Sequence, residues 1–64
     1  MSLEVWREIT ADYEGRVIKG SYKFVDNIVV VRTQFGTKTA QIGGLAPEQL
    51  AKKLLRELAH QGLA

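Results

Sequence analysis

A chain of 64 residues is long enough for one small domain, and a domain of this size buries only about 60% of its unfolded surface. The absence of cysteine and the single histidine exclude a disulfide framework and a thiolate or imidazole metal cluster. Nine Lys or Arg against seven Asp or Glu give a formal net charge of +2, a smaller excess than a dedicated nucleic-acid arm carries.

The segment from Leu3 to Ile42 consists of short β-rich runs separated by turn pairs at Glu14-Gly15, Asp26-Asn27 and Phe35-Gly36. Both Asp and Asn tolerate positive φ, so Asp26-Asn27 is the clearest two-residue turn. The spacing predicts a four-stranded antiparallel meander over residues 3–13, 16–25, 28–34 and 37–42.

Even loop lengths bring the apolar side chains of all four predicted strands onto one face of the sheet. A one-residue shift of the first hairpin would place lysines against apolar residues, so the apolar pattern selects the even loops. The register also predicts that Arg32 lies opposite Thr39. The expected core face contains Leu3, Val5, Ile9, Ala11, Tyr13, Ile18, Gly20, Tyr22, Phe24, Val29, Val31, Ala40 and Ile42.

After Gly43-Gly44 the apolar period changes from that of a strand to that of a helix. Pro47 suits the first turn of a helix and Gly62 suits its end, which predicts a helix over residues 47–61. The apolar stripe of this helix is Leu50, Ala51, Leu54, Leu55, Leu58 and Ala59. We therefore expect a single α+β domain over residues 1–64, ββββα, with the helix packed on one sheet face.

The second face of the predicted sheet carries an apolar patch that a single helix cannot reach. Its members are Trp6, Val25, Ile28 and Val30. Exposed apolar patches commonly mark interaction surfaces, and a small chain without disulfides or metals gains stability by self-association. The expected partner is a second copy of the chain, although another protein would also fit. Edge pairing of the first or fourth strand is another route to a homodimer, and the sequence does not choose between the routes.

The same face also carries basic and aromatic residues. A flat ring can stack on a base and a cation can contact a phosphate, as single-strand binding requires. Glu8 and Asp12 on this face oppose the binding of a polyanion. The candidate contacts to single-stranded nucleic acid are Trp6, Lys19, Lys23 and Arg32.

The order of elements, and the junction Leu45-Ala46-Pro47-Glu48-Gln49 that leads into the helix, are similar to those of the transcriptional positive cofactor 4 group. That resemblance implies a dimeric fold that binds single-stranded DNA on its sheet. Residues of the matching type here are Lys19, Lys23, Arg32 and Trp6.

No residues form a recognisable catalytic set. On an extended strand Glu4 and Glu8 are about 13 Å apart, too far to share a proton or an ion. His60 lacks a marked nucleophile, and Gly43-Gly44 serves a strand-to-helix turn more readily than it binds phosphate. We therefore expect a non-enzymatic homodimeric binding or interaction module without metal or cofactor, with single-stranded nucleic-acid binding as the alternative.

The longest apolar run is too short for a membrane span. The first residues also lack the basic and apolar regions of a signal peptide. The expected location is therefore the cytoplasm.

Overall fold

The computed structural model describes residues 5–64 and contains an open four-stranded antiparallel sheet followed by a C-terminal helix packed against it. Neighbouring strands along the chain are neighbours in the sheet, in the order β1-β2-β3-β4. The predicted fold class is confirmed, while Leu3 and Glu4 lie outside the described residues. The elements are β1 (Arg7–Tyr13), β2 (Arg16–Val25), β3 (Ile28–Arg32), β4 (Thr37–Gln41) and α1 (Pro47–His60).

The first two hairpins turn through residues with positive φ. Glu14 and Gly15 have φ of 51° and 77°, and Asp26 and Asn27 have φ of 52° and 62°. Two consecutive residues of this kind match the right-handed twist of the flanking strands. Both hairpins have the even loops and the registers that the apolar pattern predicts.

The prediction for the third hairpin was wrong by two residues, since Arg32 lies opposite Thr37 and not Thr39. The cause is Thr33, whose hydroxyl accepts hydrogen bonds from the backbone N–H groups of Phe35 at 3.2 Å and Gly36 at 3.1 Å. The N–H of Thr33 also donates to the Gly36 carbonyl at 2.8 Å. These bonds close a four-residue loop that ends β3 early. A shift of two residues keeps every side chain on its predicted face.

The helix and the sheet meet closely at Gly20. A Cβ atom at this position would lie 3.0 Å from both Leu55 Cδ1 and the Arg32 carbonyl oxygen. The missing side chain therefore lets α1 approach β2. All six residues of the predicted helical stripe are buried, and the largest fully buried side chains are Leu55, Leu58, Val29 and Val31.

Two residues expected in the core are exposed instead. Val5 is 63% exposed and Phe24 is 45% exposed. Among the described residues, the pairing of β1 with β2 stops at Arg7 opposite Tyr22, so no strand within residues 5–64 lies beside the end of β2 that carries Phe24 on that side. The described core is consequently shorter than the apolar pattern suggested.

Candidate functional site

The sheet face opposite α1 is uncovered by any other element in residues 5–64. Side chains alternate between the two faces of a strand, and opposite partners share a face. The uncovered face therefore carries Glu8, Thr10 and Asp12 from β1; Val17, Lys19, Ser21, Lys23 and Val25 from β2; Ile28, Val30 and Arg32 from β3; and Thr37, Thr39 and Gln41 from β4.

Trp6 lies directly before β1 and contacts two cations of this face. The guanidinium carbon of Arg32 is 4.0 Å from the ring centroid, and the Nζ atom of Lys23 is 4.9 Å from it. Both distances are within the range of about 6 Å for cation–π attraction. Because β2 lies between β1 and β3, Trp6 and Arg32 meet across a strand. We call Trp6, Lys23 and Arg32 the tryptophan cluster.

An open groove of ≈ 670 Å³ lies beside the tryptophan cluster, and Arg32 belongs to both. Lys19 contributes a second cation to the groove, while Glu8 contributes a carboxylate. Between Glu8 and Arg32 in the register lies Ser21, whose small side chain leaves space above β2. The remaining lining residues are Ile9, Thr10, Gly20, Thr33 and Gln34.

The groove cations are not neutralised by the groove carboxylate. In the described part of the chain, Lys19, Arg32 and Glu8 form no ion pair. The cation–π contact with Trp6 uses no hydrogen bond, so the N–H donors of the Arg32 guanidinium stay able to bind an acceptor. The groove can therefore present oriented donors to an anion.

The four residues of the predicted apolar patch share the uncovered side of the sheet, but their neighbours cover much of it. Trp6, Val25 and Val30 are half-buried, and Ile28 is 37% exposed. Val25 and Ile28 lie opposite each other at the β2–β3 turn. At the other end of the same face, Val17 is 63% exposed. The exposed apolar area is therefore smaller than the sequence suggested.

The histidine has a structural partner, since the hydroxyl of Tyr13 lies 2.9 Å from Nδ1 of His60 and links the end of α1 to β1. Among residues 5–64, no group of three or more His, Asp or Glu side chains is placed to hold a metal ion. The described helix is also too short and too polar to cross a bilayer.

Sequence reasoning placed Trp6, Lys19, Lys23 and Arg32 on one face but missed the groove. The contact between Trp6 and Arg32 depends on side-chain conformations that cross β2, and these have no periodic signal in the sequence. The small residue Ser21, on the uncovered face of a long strand, was the available signal for a depression in this surface.

The chain matches no protein-family model, no curated protein and no solved structure. The likeness to the positive cofactor 4 group therefore rests on element order and a short junction. Fold and site together define a small α+β domain with an open, partly basic sheet face.

Proposed function

We propose that the protein is a non-catalytic binding module and that its uncovered sheet face binds single-stranded nucleic acid. The observation that carries the proposal is the tryptophan cluster beside a groove that contains Lys19 and Arg32. An aromatic surface and oriented cations are thus combined within one site.

Each part of the site suits a different part of a nucleotide strand. The N–H groups of Arg32 and the ammonium of Lys19 can donate to phosphate oxygens. The part of the Trp6 ring that the two cations leave uncovered and the planar Arg32 guanidinium offer flat surfaces to unstacked bases, which every base can use. Glu8 lowers the affinity for phosphate but can accept hydrogen bonds from base amino groups.

A second copy of the chain is the other candidate ligand of the same face, and the apolar patch of Trp6, Val25, Ile28 and Val30 favours it. A face-to-face dimer that covered this patch would also cover Lys19 and Glu8 on the same face, whereas interface centres are depleted of these residue types. The charge distribution favours nucleic acid.

The proposal predicts that single strands bind and that added salt weakens the binding. Trp6 is the only tryptophan in the chain, so its fluorescence reports directly on the site. With about three phosphate contacts, affinity should fall about twentyfold between roughly 50 and 200 mM salt. The measurement is a fluorescence titration with unlabelled single-stranded and duplex oligonucleotides of equal length. Absence of single-strand binding at the lowest salt would contradict the proposal.

A charge placed in the apolar patch separates the two candidates. If a second copy covered the face, Ile28→Lys would dissociate the resulting dimer. Val17→Lys, at the other end of the face, would then weaken that dimer less. Our proposal predicts that neither substitution changes the molar mass measured by light scattering. Dissociation by Ile28→Lys alone would instead favour the face-to-face dimer.

A further inference from the structure

We infer that the outer edge of β4 pairs with β4 of a second copy of the chain, which joins two sheets into one sheet of eight strands. The sheet is open, and β1 and β4 are its edges. Within residues 5–64, the backbone of β4 bonds to β3 and to nothing on its outer side. Unpaired edge groups of this kind are a template for another strand.

The sequence of β4 is complementary to itself in an antiparallel arrangement. A two-fold axis at Thr39 pairs all five residues of the strand, with Thr39 opposite Thr39, Lys38 opposite Ala40, and Thr37 opposite Gln41. No like charges face each other, and a Thr–Thr pair is a favourable cross-strand contact. An axis at Lys38 would instead oppose two lysines.

The other edge is less suitable for self-pairing. The register that pairs all seven residues of β1 has its axis at Thr10 and places Glu8 opposite Asp12 twice. Directly opposed like charges destabilise a strand pair. Shorter registers avoid that repulsion but give up backbone hydrogen bonds. Charge therefore selects β4 between the two edges that the sequence left open.

A lysine on an edge strand usually opposes association, but Lys38 is already paired within its own chain. Its Nζ atom lies 3.3 Å from Oε1 of Glu57 in α1. The aliphatic part of Lys38 can then cover Ala40 of the second copy, which is half-buried beside the core. The pairing thus adds apolar contact without adding an unpaired charge.

This arrangement leaves the proposed nucleic-acid site accessible. Opposite partners in a strand pair point to the same side, so both helices lie on one side of the joined sheet and both uncovered faces on the other. The inference does not depend on the proposed function, because the pairing can be measured without a nucleic acid.

The test uses disulfide formation, for which the chain is suited because it contains no cysteine. Directly opposite residues of antiparallel strands have Cα atoms about 4.5–5.5 Å apart, which suits a disulfide. Thr39→Cys should therefore form a covalent dimer under mild oxidation. Because the edge pairing holds the two thiols together, the rate should be on the order of tenfold or more above that of colliding thiols.

Two further cysteine variants serve as controls, each of which replaces an exposed threonine on the same sheet face as Thr39. Thr37→Cys should react slowly, because the paired register separates the two thiols by about four residues, or roughly 13 Å. Thr10→Cys tests the β1 edge, because pairing of two β1 strands about Thr10 would place its two thiols opposite each other. Equal rates for all three, or faster reaction of Thr10→Cys, would overturn the inference. Sedimentation equilibrium of the unsubstituted chain should show concentration-dependent dimers, and a monomer at millimolar concentration would overturn it as well.

Discussion

Leu55→Ala should destabilise the domain by about 2–5 kcal/mol, since it removes a fully buried side chain and leaves a cavity. Leu55 packs directly on Gly20, where a Cβ atom would come within 3.0 Å of Leu55 Cδ1. The sheet backbone cannot move to fill the space without breaking strand hydrogen bonds. A chain of 64 residues has a total stability of roughly 3–10 kcal/mol. The variant should therefore be substantially unfolded at modest temperature or denaturant concentration.

Chemical denaturation followed by circular dichroism measures the loss, and Leu45→Ala is the matched control. Leu45 precedes α1 and is 44% exposed, so its truncation should change stability by less than about 1 kcal/mol. Each kcal/mol corresponds to about 4–8 °C in the melting temperature of a domain this small. Equal losses for the two variants would show that Leu55 is not central to the core.

The sequence was most informative where local chemistry and the apolar period agreed. Asp26 and Asn27 have positive φ, which both residue types tolerate, so the turn is readable from local chemistry. A two-residue turn at this position also fixes a register that places Val29 and Val31 in the core, as the apolar pattern requires. The helical stripe was predicted for the same reason, because its period and its flanking Pro47 point to one element.

The third hairpin could not be predicted in this way, because two registers that differ by two residues place the same side chains on the same face. The choice depends on the hydroxyl of Thr33, which binds two backbone N–H groups of its own loop. The same hydroxyl donates to the carbonyl of Leu63, so the C-terminal end of the chain takes part in fixing the loop. A contact between residues so distant along the chain is not readable from periodicity.

In the candidate site, too, the sequence predicts the sheet face on which a side chain lies but not the contacts that the side chain makes. Strand alternation alone placed the basic residues and the apolar patch on one face. The structure adds that Arg32 packs over the ring of Trp6, which covers part of the apolar patch and leaves guanidinium donors beside the groove. From the sequence, Trp6 was equally a candidate for an apolar interface and for stacking on a base. In the structure its ring contacts the guanidinium of Arg32.

The proposed function predicts a large and position-specific loss of single-strand affinity in Arg32→Ala. The substitution removes charged hydrogen bonds worth about 1.5–3 kcal/mol, which corresponds to a dissociation constant roughly 10 to 150 times larger. It also removes the contact with Trp6. Fluorescence anisotropy of a labelled oligonucleotide measures the loss without relying on Trp6. The slope of log affinity against log salt should fall by about 0.7 for the phosphate contact that disappears.

Arg16→Ala is the matched control, because Arg16 is an exposed arginine of the neighbouring strand β2 whose side chain lies on the opposite face. It changes the net charge by the same amount and should weaken binding only slightly. Arg32→Lys keeps the charge but loses the planar group that stacks on Trp6, so its affinity should lie between those of the unsubstituted chain and Arg32→Ala. If Arg16→Ala and Arg32→Ala weakened binding equally, the attraction would be a property of the total charge and not of the groove. A loss confined to Arg32 would instead assign single-strand binding to the uncovered face.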